Sequence, residues 1–172
     1  MPALPALDAA QTARLHAGQV VVVADISPEH TAGTGFVRAN APASKLWAAV
    51  LDIPARKAEN PSLADVSVYD RAGDTFGVRF ELAMFGIRAV THERWSCQPA
   101  EMTCRYTLDV SKPNDVDMDE GEWRVSPDAT GSIVTFFSTY HSEMWTPGWV
   151  RRWLATDSME TVLSGIARRA ER

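Results

Sequence analysis

"TFGVRFELAMFGIRAVTHERW", residues 75 to 95, decides the fold. With Phe85-Gly86 as a two-residue turn, its halves register as an antiparallel hairpin. Met84 then faces Ile87, Leu82 faces Ala89, Phe80 faces Thr91 and Val78 faces Glu93. Side chains alternate across a strand with a period of two, so this register gathers one nearly continuous apolar face. The next phrase, "RWSCQPAEMTCRYTLDV", extends it. A turn at Pro99-Ala100-Glu101-Met102 sets Cys97 opposite Cys104 and Trp95 opposite Tyr106, with Leu108 and Val110 on the same face. The other face collects Arg79, Glu81, Arg88, His92, Arg94, Arg105, Thr107 and Asp109, the pattern of a solvated sheet surface.

Working outward, "GEWRV" places Trp123 and Val125 in alternation with Glu122 and Arg124. "GSIVTFFSTYHSEMW" is a last long strand in which either face can point inward. "PGWVRRWLATDSMETVLSGIARRAER" then carries Ala155, Met159, Val162, Leu163 and Ile166 at helical spacing and predicts a long C-terminal helix. Upstream, "GFVRANAPASKLWAAVLD" is a strand running into a helix whose face holds Leu46, Trp47, Val50 and Leu51, with Asn40 as the capping residue and Pro42 in the first turn. "IPARKAENPSLA" has no clean period and two prolines, which predicts a loop or broken helix. Residues 7 to 16 form a short helix closed by Gly18, and "QVVVVAD" forms a strand. Residues 1 to 34 are therefore expected to be an extension packed on a main body of residues 35 to 172. The expected fold class is α+β: a curved antiparallel sheet wrapped around a long C-terminal helix.

The composition removes several functions. A formal charge of -5 leaves no basic groove for nucleic acid. No apolar run reaches the roughly 20 residues that span a bilayer, although transient contact with a membrane surface stays open. "MPALPALDAA" lacks the basic and apolar regions of a signal peptide, so the expected location is cytoplasmic. Cys97 and Cys104 are expected as buried thiols, with a cross-strand bridge as the alternative. Asp115, Asp117 and Asp119 imitate the start of a calcium loop, but Glu120 and Ser126 stand where that motif needs Gly and Glu, which predicts a solvated acidic loop. The histidines at 16, 30, 92 and 141 are scattered. No metal site, cofactor, nucleophile elbow or phosphate loop is proposed.

The order of elements, with the phrases "VRANAPASKLWAAVLD", "GEWRVSPDATGSIVTFFSTY" and "TPGWVRRWL...RRAER", resembles the START and polyketide-cyclase (SRPBCC) superfamily with its helix-grip fold. The bacterial branch related to coenzyme Q-binding START proteins is the most similar. The resemblance covers about residues 35 to 170 and implies a deep apolar cavity between sheet and C-terminal helix. It also implies a lipid, quinone, sterol or polyketide as ligand, or, in some members, cyclase or aromatase chemistry.

From the register, the candidate ligand wall is Phe80, Leu82, Met84, Thr91, Glu93, Trp95, Tyr106, Leu108, Trp123, Ser138, Tyr140, Trp149, Met159 and Leu163. Glu93 is the one inward carboxylate, and it is the candidate for ligand contact or proton transfer. Trp145, Trp149 and Trp153 recur every fourth residue around Pro147-Gly148, either as a gate at the cavity mouth or as a staple for the helix start. The leading expectation is a non-enzymatic carrier of a small hydrophobic molecule. Its rivals are a cyclase-type enzyme using Glu93 beside Tyr106, and an assembly protein pairing through an exposed aromatic such as Phe137.

Overall fold

The architecture was obtained from a computed structural model, which describes residues 4–27, 31–84, 86–142 and 147–172. Eight antiparallel strands form one sheet in the order β1-β2-β8-β7-β6-β5-β4-β3. They are β1 (Val21–Ile26), β2 (Thr31–Ala39), β3 (Leu63–Ala72), β4 (Thr75–Met84), β5 (Ile87–Gln98), β6 (Thr103–Leu108), β7 (Met118–Asp128) and β8 (Gly131–His141). The long jump from β2 to β8 joins the two ends of the chain. Between β2 and β3 lie α2 (Ala43–Leu51) and α3 (Arg56–Glu59), and α1 (Ala9–His16) precedes β1. The C-terminal helix runs unbroken as α4 (Gly148–Trp153), a π-type turn (Leu154–Ser158) and α5 (Met159–Ala170). This is the helix-grip α+β fold.

The hairpin registers hold residue for residue. β4 and β5 pair Met84 with Ile87, Phe80 with Thr91 and Val78 with Glu93, while β5 and β6 pair Trp95 with Tyr106 and Cys97 with Cys104. The turn residue Phe85 lies outside the described residues.

Several local expectations change. Pro42, not Asn40, stands at the cap of α2; the Asn40 N–H is held instead by the Glu171 carboxylate at 2.8 Å. Cys97 and Cys104 are buried as expected but are joined as a cross-strand disulfide, because direct opposition in an antiparallel pair brings the two sulfurs together. β6 ends at Leu108, so Val110 leaves the apolar face and is exposed. Asp109 and Glu122, placed by alternation on a solvated face, are both buried there under polar partners. Asp109 accepts from the Tyr69 hydroxyl at 2.8 Å and from Arg94 at 3.0 Å.

The helix grips the sheet through glycine. A Cβ on Gly35 would come within 2.7 Å of the Met159 sulfur, so only a bare backbone lets α5 lie this close to β2. Below it, Leu163 and Ile166 of α5 meet Leu46 and Val50 of α2 in the main core. Arg169 ties this arrangement together by pairing with Glu59 of α3 and donating to the Ala49 carbonyl of α2.

Candidate ligand cavity

Between the concave face and the C-terminal helix the core opens into a cavity of about 260 Å³. Alternation on β4 and β5 supplies an apolar side of Phe80, Leu82, Met84, Ile87 and Ala89, and Val150, Leu154, Met159 and Val162 close it from the helix. An aromatic layer crosses the sheet. Phe76 stacks on Trp95, Trp95 on Tyr106 at 5.3 Å between ring centres, and Trp123 on Phe136 at 3.7 Å. Gly121 on β7 makes room for it: a Cβ there would meet the Tyr106 ring at 2.6 Å. The Tyr106 hydroxyl therefore reaches over β7 and donates to Ser138 Oγ on β8 at 3.0 Å.

Polar groups converge on one part of this wall. Glu93 accepts from Trp95 Nε1 at 2.6 Å and shares a hydrogen bond with the carboxyl group of Asp119. Burial, then the neighbouring Asp119, raise the Glu93 pKa well above the carboxylate range. Asp119 is pushed up to about 7, mainly by burial and against the Glu93 hydrogen bond. Two ionised carboxylates only accept, so the pair holds a proton between them. Burial, with Asp119 and Glu93 adding to it, also raises the Tyr106 phenol.

Arg56 supplies the opposing charge. Its guanidinium is buried, lies 4.5 Å from the Trp123 ring centre and 5.4 Å from that of Trp95, and donates from Nη2 to the Val50 carbonyl at 2.9 Å. Desolvation lowers its pKa to about 10, partly offset by attraction to Glu93, and it stays cationic at neutral pH.

Of the candidates read from the sequence, Phe80, Leu82, Met84, Thr91, Glu93, Trp95, Tyr106, Trp123, Ser138, Tyr140 and Met159 line the cavity. Three do not. Leu108 faces Glu93 in the strand register but stands outside the lining. Trp149 is 53% exposed, because the first turn of α4 presents it to solvent. Leu163 is fully buried and packs against β2 at Gly35 in the core. Trp153 is half-buried, and Trp145 and His30 lie outside the described residues. Phe137, the aromatic considered for pairing, is half-buried opposite Glu122.

Two principal groups were missed. Arg56 sits in the aperiodic stretch after α2. Asp119 belongs to β7 and not to a solvated acidic loop, and stepping back by twos from Trp123 through Gly121 reaches it on the inward face. Asp115, from the same acidic run, sits at the cavity edge, where it accepts from the Val90 N–H at 2.7 Å. The wall is thus more polar than the sequence suggested. Among the described residues no cluster of side chains has the make-up of a metal site, and no helix is long and apolar enough to cross a membrane.

A model of the family described as polyketide cyclase / dehydrase and lipid transport matches residues 30–171. The chain belongs to this family. Solved structures of several proteins share its fold. A START superfamily protein from Mycobacterium smegmatis is 18% identical, with 81% of this chain and 97% of that one covered at a TM-score of 0.66. The Zhui aromatase/cyclase from Streptomyces sp. R1128 is also 18% identical, covering 90% and 95% at 0.67. A STAR-related lipid transfer protein from Xanthomonas axonopodis is 14% identical, covering 87% and 93% at 0.67. No curated protein matches the chain significantly. Identities this low carry the helix-grip fold of the polyketide cyclase and lipid transport family without carrying a ligand.

Proposed function

We propose that this protein binds a small, largely apolar molecule in the cavity between the sheet and the C-terminal helix, as a carrier or sequestering protein. The observation that supports this most directly is the cavity of about 260 Å³ flanked by Phe80, Leu82, Met84 and Val162. A ligand gains roughly 25 cal/mol for each Å² of apolar surface withdrawn from water. The volume lies just under the roughly 300–1,000 Å³ usual for ligand pockets, which favours a compact ring compound over a long acyl chain or a sterol. Quinone-like and polyketide-like compounds fit that description, and the lining candidates from Phe80 to Met159 form its contact set.

Native mass spectrometry of the purified protein, followed by solvent extraction, tests this reading. A retained apolar compound of a few rings is expected. An empty protein that shows no thermal shift with a panel of quinones, lipids and polycyclic aromatics would reject it.

The Glu93–Asp119 pair favours a second reading, in which the cavity also runs cyclase-type proton transfer. Conversion of the extracted compound, lost in Glu93→Gln with binding retained, would establish it.

A further inference from the structure

The polar groups that converge in the cavity carry opposite charges, which define what can lie between them. Arg56 is 4% exposed and lines the cavity. A guanidinium carries five N–H donors; Arg56 donates to the Val50 carbonyl, and its Nε has no acceptor. Its attraction to Glu93 acts through space, since the carboxyl group of Glu93 is engaged by Trp95 and Asp119. A buried cation with unused donors therefore shares the cavity with a carboxyl pair that holds at least one proton.

Inside the cavity Arg56 and the carboxyl pair offset one another. Arg56 contributes one positive charge, and the hydrogen-bonded pair reaches one negative charge once the pH passes the Asp119 value of about 7. Tyr106 and Tyr140, from β6 and β8, are neutral phenols. Thr91 on β5 does not ionise, and neither do the helix residues that close the cavity, Val150, Leu154, Ser158, Met159 and Val162. Asp115 at the edge, engaged by the Val90 N–H, adds a further acidic group that also disfavours an entering anion. A ligand carboxylate entering here would face Arg56 but add an uncompensated charge beside the pair, in a low-dielectric setting where that is costly. A bare hydrocarbon would leave the spare donors of Arg56 unmet.

Building on the cavity reading, we infer that the cavity selects an uncharged hydroxylated ring compound, a phenol or enol, over both its hydrocarbon and its carboxylate analogues. The ring lies against the aromatic layer of Trp95, Tyr106 and Trp123. Its oxygen accepts from Arg56, and its O–H donates toward the Glu93–Asp119 pair. A neutral hydroxyl both accepts and donates, so it serves the two groups at once without changing the total charge.

The test uses naphthalene, naphthol and naphthoate, which share one ring system, titrated into the full-length protein by calorimetry about one pH unit above the Asp119 value of about 7. Naphthol is expected to bind about tenfold more tightly than naphthalene, the increment of a hydrogen bond to a charged group, with naphthoate weaker than naphthol. Equal affinities for naphthol and naphthalene would overturn this inference while leaving the apolar cavity intact. Binding of none of the three would remove the cavity reading as well. Arg56→Met is expected to abolish the naphthol advantage and keep naphthalene binding, with Arg56→Lys restoring part of it. Should Arg56→Met fail to fold by circular dichroism, the double variant Glu93→Gln with Asp119→Asn decides. It leaves Arg56 uncompensated and is expected to shift preference toward naphthoate by about tenfold or more. An unchanged order in that variant would refute the charge argument.

Discussion

Glu93 and Glu122 are both buried glutamates on neighbouring parts of one sheet, 6% and 3% exposed, and they behave in opposite ways. Glu93 faces the concave side, where burial and the Asp119 carboxyl group drive its pKa up. Glu122 faces the convex side. Burial pushes it up too, but Arg105 Nε at 2.8 Å and Arg124 Nη2 at 2.9 Å outweigh this and hold it below its ordinary value. Desolvation is common to both sites, so the donors decide the charge. On the convex face the arginines sit on adjacent strand positions with stems free to reach Glu122. On the concave face Arg56 is pinned between two indoles and Val50, out of direct reach of Glu93. One glutamate is held as a structural anion, and the other remains a protonatable group beside an open space.

The largest effect that tests this contrast comes from the packing under the concave site. Trp123 is almost fully buried, stacks on Phe136 and carries the Arg56 guanidinium on its face. Trp123→Ala is expected to lower unfolding stability by about 3–5 kcal/mol, measured by urea denaturation, because a large void opens and a buried cation loses its platform. A loss under about 1 kcal/mol, the size of an ordinary point substitution, would mean that the aromatic layer does not support the site.

Next in size is the pH response, and the two glutamate regions should differ in sign. Asp119 is pushed from 3.8 up to about 7 in the folded chain. The folded state thus holds a proton that the unfolded state releases, and this contribution to stability is present at low pH and lost as pH rises from about 3.8 to about 7. Glu122 has a lowered pKa, so its contribution is present above its unfolded value and lost as pH falls. Asp119→Asn is expected to reduce the alkaline-going decline in melting temperature through that window, the remainder coming from buried Glu93, and to leave the acid limb in place. An unchanged decline would place the shared proton elsewhere.

The contrast between the faces also explains what the sequence revealed. Strand periodicity fixes which side a residue faces, and turn chemistry at 99–102 fixes the register, so Glu93, Trp95 and Tyr106 were legible as neighbours. Periodicity says nothing of partners. Arg56 comes from a helix of four residues without a pattern, and its position depends on a fold in which α3 is brought under Trp95 and Trp123. Asp119 was concealed by its acidic neighbours, which mimic a solvated run although β7 has already begun at Met118. Asp109 and Glu122 show the same limit on the other face: alternation placed them outward, and long arginine side chains then covered them.

The smallest expected effect concerns the convex ion cluster itself. The Arg105 and Arg124 side chains are 69% and 41% exposed, so water takes over their solvation when the carboxylate is removed. Glu122→Gln is expected to cost about 1 kcal/mol at neutral pH, less in high salt, with ligand binding unchanged. The same substitution at Glu93 replaces one member of a proton-sharing pair by a neutral amide that can still accept from Trp95. Its stability cost should therefore be smaller at neutral pH than in acid, the reverse of the Glu122 case. Urea denaturation of both variants at acidic and neutral pH makes the comparison. Equal costs at both positions, moving the same way with pH, would show that burial and not the arrangement of donors sets the charge on this sheet.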